Sequence, residues 1–347
     1  MVLSFGLNHA ESIRSFRAAQ RLDPDCAMCV WGAALATGPN INVTSKGKAV
    51  MSMADRQAAY AEIRKVVQLN GKATALEQAL IDTLAARCSA DFDAERDPQD
   101  IAWANAIGAY AAAYPEDDDA AAIYAEARMN TMHWNYWSVD GLPREGTVQL
   151  INAPETILER SPNHPLALHL YLHAVEASPD AARAEDEADR LSTLVPVCGH
   201  LVHMPSHVFW RVGRYEDAAQ ANIRAAKVGE DYIAQCNAQG FYPAMCYPHN
   251  LHFLWAAAGM SGQSALTLQT AEKLAANVRF EQIEAYPHSG SSMAGLAGAL
   301  EAQGKKAIRR NTCASTSSMS GCTPMRRSKH PGSDGLWERL DIAPHEA

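Results

Sequence analysis

The chain has no apolar run of eighteen residues, so no membrane span is indicated. It has no basic excess either. Thirty Lys and Arg stand against 39 Asp and Glu, for a net charge of −9. That balance speaks against a nucleic-acid partner, which needs a basic face for its phosphates. The eight cysteines form no regular framework of the kind that staples small secreted domains. Cys26 and Cys29 make a lone C-x-x-C with no second pair nearby, and read as small helix-packing residues rather than half of a zinc site. Alternating β-branched runs are missing, and no Asn-Gly turn has strands beside it, which removes strand signals from the whole length.

Signature loops are missing as well. There is no G-x-x-x-x-G-K-[ST], no G-x-G-x-x-G after a strand and no H-E-x-x-H. The run GSSMA at 290–294 lacks the second glycine and the preceding strand of a nucleophile elbow. Cys198 and Cys246 have histidines nearby in sequence, but nothing orients either as a nucleophile. The amino terminus shows no basic and apolar export signal, so a cytoplasmic location is the expectation. Residues 4–24 read as the second helix of a repeat whose first helix is missing, which leaves room for a start further upstream.

What is present is repetition. Residues 163–196 and 197–230 are two copies of one 34-residue unit, in which Pro162 matches Pro196, His169 matches His203, His173 matches His207 and Ala184 matches Ala218. After a 15-residue insertion a third copy covers 248–278, so an offset of 49 carries His200 to His249, His203 to His252 and Gly213 to Gly262. Two helical patterns within a 34-residue period predict an all-α solenoid of antiparallel helix pairs. Earlier in the chain the same punctuation predicts helices over 11–22, 26–37, 50–69, 74–88, 100–114 and 118–134. They are separated by Asp23-Pro24, Gly38-Pro39, Asn70-Gly71 and Tyr114-Pro115. The repeat domain is taken as 1–303. From 304 to 347 apolar periodicity ends and eight Lys/Arg face four Asp/Glu, a local charge of +4. That segment reads as an atypical basic tail, either poorly ordered or a shifted reading frame.

The runs GLNHAESIRSF at 6–16, DPDCAM at 23–28, Trp31-Gly32 and GPNIN at 38–42 carry a family likeness. So do HLVHMPSH at 200–207, VGRYEDA at 212–218 and YPHNLHFLW at 247–255. Over residues 4–300 the chain resembles the tetratricopeptide repeat family, in an uncharacterised branch with histidine-containing repeats. The resemblance implies a right-handed superhelix whose first helices line a concave face. It implies no established activity.

Thirteen histidines are present, and eight lie between 164 and 252, so their placement is the signal. His169 and His173 stand one helical turn apart, with Glu176 continuing the stripe beside an apolar face of Leu168, Tyr171, Leu172 and Val175. His203 and His207 repeat the pair, and His249 and His252 follow in the third copy. Register alone predicts that His169, His203 and His252 converge in an open concave groove, with His173 and His207 a turn away. Imidazoles so placed are ligands for Zn, Cu, Fe or Ni. Glu126, His133, Glu176 and His200 are additional ligands or second-layer partners. His9, His164, His288, His330 and His345 read as solvated or hydrogen-bonded singles. Three functional readings follow: a groove that binds a divalent transition metal, a metal-free scaffold holding a peptide, partner protein or small ligand, and a metal-dependent oxidase or hydrolase.

Overall fold

Amphipathic segments with stop signals between them fold into helices and little else. A computed structural model of the chain describes residues 1–43, 51–132 and 134–280, with side chains to 277. His133 and the whole 304–347 segment therefore lie outside the described residues, as do His288, His330 and His345. The chain divides into two compact units, Met1–Ala238 and Gln239–Ala347, with the boundary inside the insertion that separates the second and third repeats.

The first unit contains α1 (Val2–Phe5), α2 (His9–Leu22), α3 (Ala27–Thr37), α4 (Met53–Gln68), α5 (Ala75–Leu84), α6 (Asp97–Ala113) and α7 (Asp118–Asn130). It continues with α8 (Thr147–Arg160), α9 (Pro165–Glu176), α10 (Glu185–Leu194), α11 (Gly199–His203), α12 (Pro205–Arg211) and α13 (Tyr215–Cys236). The second unit shows a π-helical turn at Tyr242–Cys246 leading into α14 (Tyr247–Met260), and then α15 (Ser264–Phe280) packed against α14. Among the described residues there is no strand, only isolated bridges at Asn40–Val43 and Trp137–Pro143.

Local chemistry accounts for the boundaries. Ser52 with Asp55 and Thr74 with Glu77 form reciprocal capping boxes that satisfy the first amides of α4 and α5. The turns after α12 and α14 place Gly213 at φ +81° and Gly262 at φ +75°, a backbone region that favours glycine. These two glycines are the pair that the 49-residue offset aligns. At Gly32 in α3 a Cβ would come within 2.3 Å of the Phe16 ring, so glycine lets α2 and α3 approach closely.

Two expectations are corrected here. Cys26 and Cys29 are not packing residues inside a helix but a disulfide at the start of α3, where Cys26 caps the helix and takes the Cys29 amide at 3.2 Å. The apolar positions of α9 do not form one stripe beside an open histidine face. Ten consecutive residues, Leu166 to Val175, are buried, because α1, α7, α8, α10 and α12 all pack around this helix. A helix enclosed on every side buries its polar residues with its leucines.

Ala184 and Ala218, matched by the repeat, are both fully buried. Ala218→Leu should therefore overpack the contact of α13 with its neighbours and lower stability by ~1–3 kcal/mol. Chemical denaturation of the full chain measures this, and an unchanged midpoint would show that the site has room.

Candidate metal centre

Three helices deliver the clustered histidines of the first unit. α9 presents His169 and His173 one turn apart, with Glu176 three residues further at its end. α11 and α12 run on as almost one helix, interrupted at Pro205, which has no amide hydrogen to give. The spacing of His200, His203 and His207 places all three on one side of that pair. All five imidazoles are buried, with exposures of 4% or less.

The nitrogen atoms converge. Ligand atoms of His169, His173 and His200 all lie within 4.8 Å of one another. His169 Nε2 is 3.0 Å from His200 Nε2, and His203 Nε2 is 2.9 Å from His207 Nε2. The two sets abut, with ring centroids 5.5 Å apart between His173 and His207 and 5.9 Å between His200 and His203.

The partners on the other ring nitrogen define the tautomers. The Phe5 carbonyl can only accept, so His169 Nδ1–H donates to it at 3.1 Å. His173 Nδ1 donates to Glu176 Oε1 at 3.1 Å, and His207 Nδ1 donates to Glu176 Oε2. His203 Nδ1 donates to Asn222 Oδ1 at 2.6 Å. The Asn222 amide is held that way round because its Nδ2 donates to the Ala218 carbonyl at 2.8 Å. In the neutral forms of these four rings, then, Nε2 carries the lone pair. An imidazole whose Nδ1–H is anchored on a carbonyl or carboxylate, with Nε2 turned to a common centre, is the usual arrangement of a metal-ligating histidine.

The electrostatics agree. Burial, reinforced by the neighbouring imidazoles, pushes the pKa values of His169 and His203 well below the ordinary histidine range and keeps both rings neutral. Burial also pushes the Glu176 carboxyl upward. His207 and His173 more than reverse this and hold it well below the usual carboxylate range, so it stays ionised. An ionised carboxylate beside a buried imidazole cluster is a setting that favours a cation.

Sequence register and spatial register differ. Repeat alignment matches His169 with His203, 34 residues on, but in the fold His169 meets His200 and Glu176 meets His207, both 31 residues on. The aligned pair His173 and His207, 34 residues apart, stays in ring contact, so contacts about one helical turn off the alignment are made beside the aligned one. His200 thus stands among the nearest partners of His169. Glu176 orients two imidazoles.

The other residues singled out from the sequence lie on further elements. Glu126 on α7 lines a small cavity with Arg87, His9, Asn40 and one side of His169. Burial pushes its carboxyl pKa up against the pull of Arg87. His249 and His252 lie on α14 in the second unit, His249 edge-on to Phe253 and His252 stacked on Trp255. His164 caps α9 and pairs with Asp119 at 3.1 Å, while His9 contacts the Ala36 carbonyl at 2.8 Å. Cys198 is no ready nucleophile, since burial pushes its thiol up to about 11, and Cys246 is pushed up to about 12.

The Phe5 carbonyl, Asn222 and Trp134 join the site without standing out in the histidine pattern of the sequence. A backbone carbonyl has no sequence signature. Asn222 did have one, as a lone polar residue within the alanine-rich face of α13 at Ala218, Ala219, Ala221, Ala225 and Ala226. Trp134 packs edge-on against His173 with centroids 4.7 Å apart, and sits at φ +64°, a backbone conformation costly for a bulky residue.

No protein-family model matches this chain, and no curated protein matches it.

The depressed histidines make a prediction for the metal-free protein. Below pH ~6.5 the unfolded chain takes up protons that folded His169 and His203 refuse, so stability falls as pH drops. Each such group adds a slope of up to about 1.4 kcal/mol per pH unit. Glu176 acts in the same direction at lower pH, since its contribution is present above the ordinary carboxylate pKa and lost as acid protonates it. Denaturant melts from pH 7.5 to 5 check this, and stability that holds or rises towards pH 5 would contradict the buried, neutral state of these rings.

Proposed function

We propose that this chain is a helical-repeat protein of the tetratricopeptide type whose first unit binds a divalent transition metal through His169, His173 and His200. The observation that carries the reading is the convergence of three buried imidazoles whose ligand atoms lie within 4.8 Å of one another. Desolvating three histidines is costly unless their nitrogens are used. Their donor set suits Zn, Cu, Fe or Ni, and the fixed Nδ1 partners of His169 and His173 are what raises imidazole basicity at such sites. The repeat reading draws on the 34-residue period and on the glycines that close equivalent turns at 213 and 262.

Three protein nitrogens leave a fourth position for water or substrate, the pattern of a catalytic rather than a structural site. A metal held there would supply an activated water for hydrolysis by lowering its pKa, and a redox-active metal in the same place would supply oxidase chemistry. The metal-free peptide scaffold is the weaker reading, because the five clustered imidazoles of the first unit are buried and offer a peptide no accessible face.

Calorimetric titration of chelator-stripped full-length protein with zinc tests the assignment. Wild type should bind tightly, and His169→Gln/His200→Gln should lose that site. Equal binding by both proteins would take the metal away from these residues.

A further inference from the structure

The pair His203 and His207 is not used by the site just described, although it is the most constrained part of the cluster. Both Nδ1 atoms donate, one to Asn222 Oδ1 and the other to Glu176 Oε2. Both Nε2 atoms are therefore lone-pair atoms in the neutral rings, and they face one another at 2.9 Å in a fully buried setting. Two lone pairs cannot sit that close in the interior without a cation on them, either a proton or a metal ion. The rings are four residues apart across the Met204-Pro205 step and cross at 80°, so both nitrogens are directed to one place from one helical face.

We propose that His203 and His207 hold a second divalent transition-metal ion, making the first unit a two-ion centre with Glu176 as the partner common to both halves. This rests on the metal reading of the neighbouring triad and adds a separate ion to it. Glu176 joins the halves chemically: one carboxylate oxygen orients His173, a ligand of the first ion, and the other orients His207, a ligand of the second. Ring contacts His173–His207 and His200–His203 bring the two ions side by side. Two imidazoles from this unit hold the second ion, and its remaining positions are open to further donors, a bridging oxygen ligand among them. Neighbouring ions that share an oxygen ligand are the arrangement used for hydrolytic and oxygen chemistry.

The test is a copper(II) titration of chelator-stripped full-length wild type, followed by elemental analysis and electron paramagnetic resonance. The first equivalent should give the spectrum of an isolated ion. The second should broaden it and add a half-field transition, because the ions lie close enough for their spins to couple. His203→Gln/His207→Gln should stop at one uncoupled equivalent, while His169→Gln/His200→Gln should retain one at the remaining pair. Wild type saturating at one equivalent, or binding two with no coupling, would overturn the second ion and leave the triad in place. Binding of none would overturn both. The coupling is read in wild type, so a variant that fails to fold does not remove the test.

Discussion

Replacing Glu176 with alanine will lower metal affinity by on the order of 10- to 100-fold for each imidazole it orients, and it orients two. Removing the carboxylate frees His173 and His207 to rotate and to exchange tautomers, so their Nε2 lone pairs are no longer aimed. It also removes the negative charge that offsets a buried cation. Glutamine at the same position keeps the shape but offers one accepting oxygen and one amide group that cannot accept. Glu176→Gln should therefore fall between wild type and Glu176→Ala. Competition against a chromophoric chelator gives the three affinities. Indistinguishable values would reduce Glu176 to a structural ion-pair partner with no part in ligation.

His203→Ala should destabilise the metal-free protein by ~2–4 kcal/mol. A His203 in an open groove, as the repeat register alone implies, would cost little to truncate. In the fold His203 is fully buried and its Nδ1 is the partner of Asn222. Truncation leaves a cavity and strands the Asn222 oxygen without its donor, and each effect carries a penalty. His203→Ala/Asn222→Ala should recover part of the loss, since it removes the stranded group, although the cavity stays. Urea melts in the presence of a chelator measure both. A cost for His203→Ala within experimental error of zero would mean that the ring is exposed in solution.

These two outcomes mark what the sequence could and could not convey. Helix positions were readable because their stop signals are local: Gly38-Pro39, Asn70-Gly71 and Gly213 end or separate helices where they stand. The histidine pairs on α9 and α11–α12 were readable for the same reason, since a four-residue spacing always projects from one helical face. Which rings meet across helices was not local. It depends on how neighbouring helices sit along their axes, which adds contacts at 31 residues, His169–His200 and Glu176–His207, to the His173–His207 contact at 34. Burial of the cluster was also non-local. It comes from α1 and α13, which supply Phe5 from 164 residues away and Asn222 from 19. The Cys26–Cys29 bond was misread because a C-x-x-C has the same sequence whether its sulfurs are packed, metal-bound or joined.

The most direct measurement is elemental analysis of the full-length protein, purified without chelator or affinity metal and dialysed to constant composition. The account predicts at least one equivalent of Zn, Cu, Fe or Ni per chain, rising to two on reconstitution, with loss on exposure to acid or a strong chelator. Protein that carries none of these metals, and takes up none when each is supplied in excess, would contradict it.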